Sequence, residues 1–259
     1  MRLKCIDRQQ YSEAKNSMNA IISRIKVWRY LGYLTFSQAL MIMLPAFLRP
    51  KKNSPVRLFG RDLLLPDGEK ETADFISVVR EVIIENQHHI ELIKSNGVVV
   101  DAGANVGVFS IFVATKHPDS TIYAFEPTPS TFAVLKENTK YYPNIKVFNC
   151  GLGDKNETST IVTAAHSGGN YIGVGGSPIE VKTIDGLNIP MDFLKIDTEG
   201  YEANILKGAA ETIKKYKPIL ALSAYHKPND KKELPELVNS IAPYNCELLH
   251  GADLICKPK

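Results

Sequence analysis

Asp101, Gly103, Asn105 and Gly107, in the stretch VVVDAGANVGVFS (Val98–Ser110), have the types and spacing to hold a small charged molecule. Gly103 permits a backbone turn that a Cβ would obstruct, and Gly107 lets a following helix pack close to the strand. A dinucleotide turn, G-x-G-x-x-G, also needs a middle glycine so that the backbone can touch a pyrophosphate. Asn105 puts a side chain in that approach, which disfavours a pyrophosphate and leaves room for a smaller anion, such as an amino-acid carboxylate, at the helix N-terminus. Asp101 adds a negative charge that repels phosphate and suits an ammonium or a sulfonium. Glu126 lies 25 residues further on, where an acidic side chain in dinucleotide folds accepts hydrogen bonds from ribose hydroxyls. The two loops together ask for an adenosine ribose joined to a zwitterionic, cationic tail, a description that S-adenosylmethionine meets. Taken singly, Asp101 and Glu126 would be only a helix cap and a solvated strand end.

A second set of polar residues ends later apolar runs: Asp197 and Glu199 in FLKIDTEGYE, and Tyr225-His226 after ILALSA. Lys195 and Asp197 share a strand face, because side chains alternate with period two. His226, whose pKa can sit near neutrality, is the best single general-base candidate. Asp197, Glu199 and His226 offer a donor set that could alternatively ligate Mg²⁺ or Mn²⁺, although their spacing is not diagnostic and a metal is not favoured. Glu202 suits a helix N-terminus. His88-His89 falls on a predicted helix without an acidic partner at ligand spacing and reads as solvated surface.

The elements that must position these residues follow from periodicity. SPVRLFGRDLLLPD alternates and ends in a turn signal, which predicts a hairpin. Helical spacing covers residues 71–95 and stops before Asn96-Gly97. Short apolar runs at 98–101, 121–126, 145–150, 193–197 and 219–224 then alternate with helical segments at 106–116, 130–140 and 231–241. Such alternation implies βαβ units and a mainly parallel, doubly wound sheet, closed by an antiparallel hairpin of CELLH and DLICK around His250-Gly251-Ala252. In such sheets ligands sit at the carboxyl ends of strands, where Asp101, Glu126, Asp154, Asp197 and His226 fall. The glycine-rich segment 167–177 reads as a mobile hairpin tip or an acceptor lid in which His166 and Tyr171 could touch an acceptor.

Charge divides the chain. Residues 1–52 hold ten Lys/Arg and two Asp/Glu, a net +8, which leaves −5 for the remainder of a chain whose total is +3. A basic end of this kind suits an anionic surface. Tyr30–Leu48 contains no charge over 19 residues, long enough to be considered as a membrane span. With the basic amphipathic stretch before it, the segment reads as a packed helical extension, an interfacial anchor through residues 18–52, or a span. Cys5, Cys150, Cys246 and Cys256 form no C-x-x-C pair, so neither a zinc site nor a disulfide framework is expected and a reducing, cytoplasmic setting is the default, with peripheral membrane contact as a variant. The polar opening MRLKCIDRQQYSEAK predicts no secretory leader.

VVVDAGANVGVFS, YAFEPTPSTFAVLKEN, GLGD, FLKIDTEGYEANILKGA and LALSAYHKPNDKKELPEL, in this order from about Asn96 to His250, resemble the FkbM family of S-adenosylmethionine-dependent methyltransferases. The resemblance implies a Rossmann-like class I methyltransferase fold, with a mostly parallel seven-stranded sheet and a C-terminal antiparallel hairpin, that O-methylates sugars or natural-product hydroxyls. It implies that Asp101, Gly103, Asn105 and Gly107 hold the methionine part, Glu126 the ribose, and that Asp154 lies near the adenine amino group. The corresponding organisation is a basic, apolar extension (1–55), a hairpin and helix leading into the core (56–95) and a cofactor-binding domain (96–259). Methyl transfer from a sulfonium needs alignment and a base for the acceptor hydroxyl. Asp197, Glu199 and His226 are the candidates, with a small molecule, glycan or lipid-linked sugar as partner and no nucleic acid. A nicotinamide-dependent oxidoreductase, disfavoured by Asn105, and a non-catalytic cofactor-binding adaptor remain the alternatives.

Overall fold

The computed structural model describes residues 56–58, 61–65, 78–163, 169–249 and 252–259. The extension over residues 1–55 with its uncharged run, the start of the 71–95 segment, His166 and the His250-Gly251 turn lie outside the described residues. The chain divides into two compact units, Met1–Pro50 with Val56–Leu63, and Lys51–Pro55 with Leu64–Lys259. In the first, β1 (Val56–Leu58) pairs antiparallel with β2 (Arg61–Leu63), the hairpin that the alternation predicts. The long continuous stretch of the second runs from Leu64 to Lys259.

In that unit β3 (Val98–Ala102), α1 (Val108–Lys116), β4 (Thr121–Phe125), α2 (Pro129–Thr139) and β5 (Ile145–Phe148) form the first half of a doubly wound sheet. Four short strands follow, β6 (Gly151–Leu152), β7 (Glu157–Val162), β8 (Tyr171–Ile172) and β9 (Ser177–Lys182). The second half comprises α3 (Ile184–Leu187), β10 (Phe193–Ile196), α4 (Glu202–Lys207), α5 (Ala210–Tyr216), β11 (Ile219–Ser223), α6 (Asp230–Ile241), β12 (Tyr244–Leu249) and β13 (Asp253–Pro258). The large sheet has seven strands in the order β12-β13-β11-β10-β3-β4-β5. Its pairs are parallel except those made by β13, which runs antiparallel to both neighbours. Strand order therefore reverses between β3 and β10, where an open α/β sheet leaves a crevice.

Sheet burial accounts for the strand sequences. Val99, Val100, Leu194, Ile196, Leu220 and Leu222 are almost completely buried. Central strands covered by helices on both faces need unbroken apolar runs rather than alternation. Val108–Ala114 of α1 is buried throughout, which accounts for its nearly all-apolar turn sequence. On α6 the buried side chains include Leu234 and Val238, four residues apart on one face.

Three expectations need correction. Residues 71–95 do not form one helix: the described part is helical over 78–84 and then breaks. Asn86 and His89 adopt left-handed φ angles of 52° and 51°, and the Asn86 side-chain carbonyl accepts a hydrogen bond from Ile90 N at 3.2 Å. Asparagine tolerates that backbone and caps locally, so apolar periodicity runs through a turn it cannot detect. Between the apolar runs at 145–150 and 193–197, where no strand is expected, β7 and β9 pair antiparallel within a second sheet ordered β6-β9-β7-β8. Finally, the hairpin register places Cys246 opposite Cys256 at a Cα separation of 4.0 Å, and the two sulfurs are bonded. A spacing of ten residues reveals such a pair only once the register is known.

Leu194 is fully buried in β10. Leu194→Ala is expected to lower the unfolding free energy by about 3 kcal/mol, read as a lower urea midpoint with an unchanged slope.

Candidate active site

A cavity of about 300 Å³ opens at the reversal point between β3 and β10. Its wall includes Gly103, Asn105 and Glu126 from the first two strand ends, and Lys195, Asp197 and Glu199 from the end of β10. The second sheet contributes Ile161 and Ile172.

Beneath this wall lies a buried ion pair. Asp101 is fully buried, and its Oδ1 lies 3.0 Å from the ammonium of Lys195, whose side chain is 5% exposed. Its Oδ2 accepts a hydrogen bond from Ser110 Oγ at 2.6 Å. Lys195 also donates to the carbonyl of Gly103 at 2.8 Å, so β10 sets the position of the turn that follows β3. The turn runs so close to β10 that a Cβ on Gly103, with φ at 77°, would stand 1.9 Å from the Asp197 carbonyl oxygen. At Gly107, φ is 97° and a Cβ would meet Leu135 at 2.9 Å, which brings α1 tightly against α2. Asp101 and Gly107 thus shape the loop from behind and are not among the residues that line the cavity.

Asn105 also has a left-handed φ, 48°. Its backbone N–H donates to Glu126 Oε2 at 3.0 Å, and Thr128 N–H donates to Oε1 at 2.9 Å. These bonds fix the orientation of the Glu126 carboxylate, while burial pushes its pKa up against their opposing effect. The Asn105 side-chain oxygen is buried and has no hydrogen-bond partner. On a cavity wall, such an atom marks a place for a ligand donor. Asp154, expected near an adenine, is exposed and outside the lining.

At the end of β10 the structure gathers Asp197, Glu199 and His226. His226 Nε2 lies 3.6 Å from both Asp197 Oδ1 and Glu199 Oε2. The imidazole side chain is 7% exposed, and Nε2 is buried without a hydrogen-bond partner. Its Nδ1 lies 2.9 Å from Glu202 Oε1, which also accepts the backbone N–H groups of Thr198 and Gly200 at 3.1 Å each. Glu202, read from sequence as a helix-end acid, is therefore 1% exposed and organises both the loop and the imidazole. Burial alone would lower the His226 pKa, but the hydrogen bond to Glu202 and the charges of Glu202, Asp197 and Glu199 raise it above the ordinary value. Burial pushes the Asp197 carboxyl up, while the charge of Lys195, with His226 adding to it, holds the carboxyl below its ordinary value. Although the three candidate ligands come together, among the described residues no group of three or more His, Cys, Asp or Glu side chains is arranged to hold a metal ion.

Sequence reasoning missed two further residues. His88 is 3% exposed rather than solvated, lines the cavity and packs edge-on against Phe109. Burial, followed by the Lys195 charge, lowers its pKa to about 3, so it is neutral at physiological pH. No periodic signal could have found it, because the Asn86 turn directs it inward. Lys195 was noticed only for its strand face, yet a lysine inside an apolar run demands a buried partner.

A model of the methyltransferase FkbM domain matches residues 172–246. The 31-O-demethyl-FK506 methyltransferase FkbM of Streptomyces tacrolimicus is 39% identical over 70 residues, 27% of this chain and 26% of that protein. The hexuronic acid methyltransferase AglP of Haloferax volcanii is 27% identical over 163 residues, 58% of this chain and 64% of that protein. Among solved structures, a methyltransferase FkbM from Methylobacillus flagellatus superposes with a TM-score of 0.51 at 23% identity, covering 71% of this chain and 54% of that one. The chain thus spans less than two thirds of each of these proteins, and the structural likeness concerns the class I methyltransferase fold.

Lys195→Met is expected to leave Asp101 charged and unpaired in the core, a loss of about 3–5 kcal/mol. Adding Asp101→Leu should recover part of that loss, and urea unfolding of the single and double variants checks the order.

Proposed function

We propose that this chain, which is similar to FkbM methyltransferases over residues 172–246, transfers a methyl group from S-adenosylmethionine to a hydroxyl of a sugar, glycan or related natural product. The observation that carries the reading is the buried, unpartnered Nε2 of His226, held by Glu202 and facing two carboxylates of the cavity wall. A hexuronic acid methyltransferase and a methyltransferase of 31-O-demethyl-FK506 among its relatives support a hydroxylated small molecule or glycan as acceptor.

The residues present fit the cofactor. Glu126, oriented by two backbone donors, offers its remaining lone pairs to a ribose, and the Asn105 side-chain oxygen awaits a donor such as an ammonium. Ile161 and Ile172 supply an apolar wall. Bound there, the cofactor supplies the methyl group from its sulfonium to the acceptor oxygen.

Asp197 and His226 divide the remaining work. Held below the ordinary carboxylate pKa, Asp197 is a weak base and serves to accept a hydrogen bond from the acceptor hydroxyl and orient it. His226 has the raised pKa and is the proton sink. In the neutral ring Nδ1–H donates a hydrogen bond to Glu202, which leaves the lone pair on Nε2 to take the hydroxyl proton. Protonated, the imidazolium remains paired with Glu202 until solvent removes the proton.

Calorimetric titration should detect S-adenosylmethionine and its demethylated product binding to the purified protein, with Glu126→Ala weakening them about 10- to 100-fold. No binding at high micromolar concentration would sink the cofactor assignment. Only the neutral imidazole can act as base, so kcat/KM should fall as pH drops, with a midpoint above the ordinary histidine value. Glu202→Gln removes the main group that raises this pKa, and should shift the acidic limb of the pH–rate profile to lower pH while reducing kcat about 10- to 100-fold. Full turnover in His226→Ala would overturn the base assignment.

A further inference from the structure

Tyr225 lines the cavity beside Asp197, and the proton transfer from acceptor to His226 gives it no part. It follows the end of β11 and is 46% exposed. An aromatic ring left that open keeps apolar surface in water, and pockets for organic ligands are lined by such rings. The ring is also held in place. Ala224, just before it, is fully buried, and its N–H donates to the Ala252 carbonyl at 2.9 Å. The ring lies against the His226 imidazole, with centroids 4.3 Å apart and planes at 51°. Its hydroxyl donates to Asp197 Oδ1 at 3.5 Å.

That hydroxyl has no acid–base task. Burial, followed by the charge of Asp197, raises its pKa above the ordinary tyrosine value, so it stays protonated. The bond to Asp197 is long, and the larger contribution to a bound molecule therefore comes from the ring. An aromatic side chain fixed in this way offers a wide contact at a small cost in conformational entropy.

What the ring can recognise follows from where it stands. Asp197 orients the acceptor hydroxyl, His226 takes its proton, and Tyr225 touches both. A molecule whose hydroxyl reaches those two groups brings its neighbouring atoms against the tyrosine ring. The negative face of the ring favours the weakly positive hydrogens of C–H groups. A pyranose in its chair form presents a patch of such groups on one face. An open-chain polyol must first order several torsions to present the same patch.

We propose, resting on the methyl-transfer reading, that Tyr225 is a specificity-determining residue: its ring is the platform on which the C–H face of a cyclic sugar stacks while the adjacent hydroxyl reaches Asp197 and His226.

Saturation-transfer NMR with the full chain tests the platform without turnover. The probes, at equal concentration, are methyl β-galactoside, a pyranoside with an apolar face, and open-chain galactitol. The ring protons of the galactoside should give the stronger signal. Tyr225→Ala should cut that signal about tenfold, and Tyr225→Phe, which keeps the ring, should restore it to within about twofold. Calorimetry with the demethylated cofactor product should give equal affinity in all three proteins, which confines the loss to the acceptor end. A galactoside signal that survives in Tyr225→Ala, galactitol bound as well as the galactoside, no galactoside signal with the wild type, or a parallel loss of the cofactor product would overturn the proposal.

Turnover separates this from failure of methyl transfer itself. With S-adenosylmethionine carrying a labelled methyl group, the amount of cell extract giving half-maximal labelling should rise about tenfold in Tyr225→Ala, while the maximal rate falls less than about threefold. A fall in the maximal rate with the half-maximal amount unchanged would mean that Tyr225 only supports His226, and would refute the platform. No labelling by the wild type would instead overturn methyl transfer, and the proposal with it.

Discussion

The ion pair between Asp101 and Lys195 is the constraint on which the site depends. Both side chains are nearly inaccessible, and they join adjacent parallel strands at the point where strand order reverses. Burying two charges is costly unless geometry and further hydrogen bonds satisfy them, and here Ser110 and the Gly103 carbonyl complete the set. The pair ties the first loop of the fold to the strand that carries Asp197. The two halves of the cavity are therefore positioned by one interaction. The pair also bears on the turn at Gly103, which passes so close to β10 that a Cβ there would stand 1.9 Å from the Asp197 carbonyl oxygen.

Glu202 plays the corresponding part on the far side. One carboxylate oxygen collects two backbone N–H groups and an imidazole nitrogen, so the loop after β10 and the residue after β11 share an anchor. Hydrogen bonds to a charged group are the stronger kind, and the arrangement decides which histidine nitrogen faces Asp197 and Glu199.

Much of the sheet was legible because buried parallel strands leave a simple signature: short apolar runs, each ended by a polar residue. Thr121–Phe125, Phe193–Ile196 and Ile219–Ser223 fall within the expected runs, and Val98–Ala102 extends its run by one residue. The loop at Asn105 was legible for a similar reason, since glycine spacing reports where a backbone must turn. Less legible were β7 and β9, whose pairing joins segments separated by a glycine-rich stretch, and the break at Asn86, where a side-chain cap stops a helix that apolar spacing would continue. Cys246 and Cys256 belong with these, because a cross-strand bridge depends on register.

By itself, the sequence determined the doubly wound architecture and the candidate residues Asn105, Glu126, Asp197, Glu199 and His226, since alternation, burial and strand-end chemistry are local properties. Tertiary structure decided what those residues do to one another. It moved Asp101 from the expected ligand contact to a structural ion pair and left Asp154 on the surface. It turned Glu202 from a helix-end acid into the partner of His226, and brought His88 from an expected surface to the cavity wall. These outcomes depend on distances between segments far apart in the chain, and Coulomb and desolvation energies follow those distances rather than residue order.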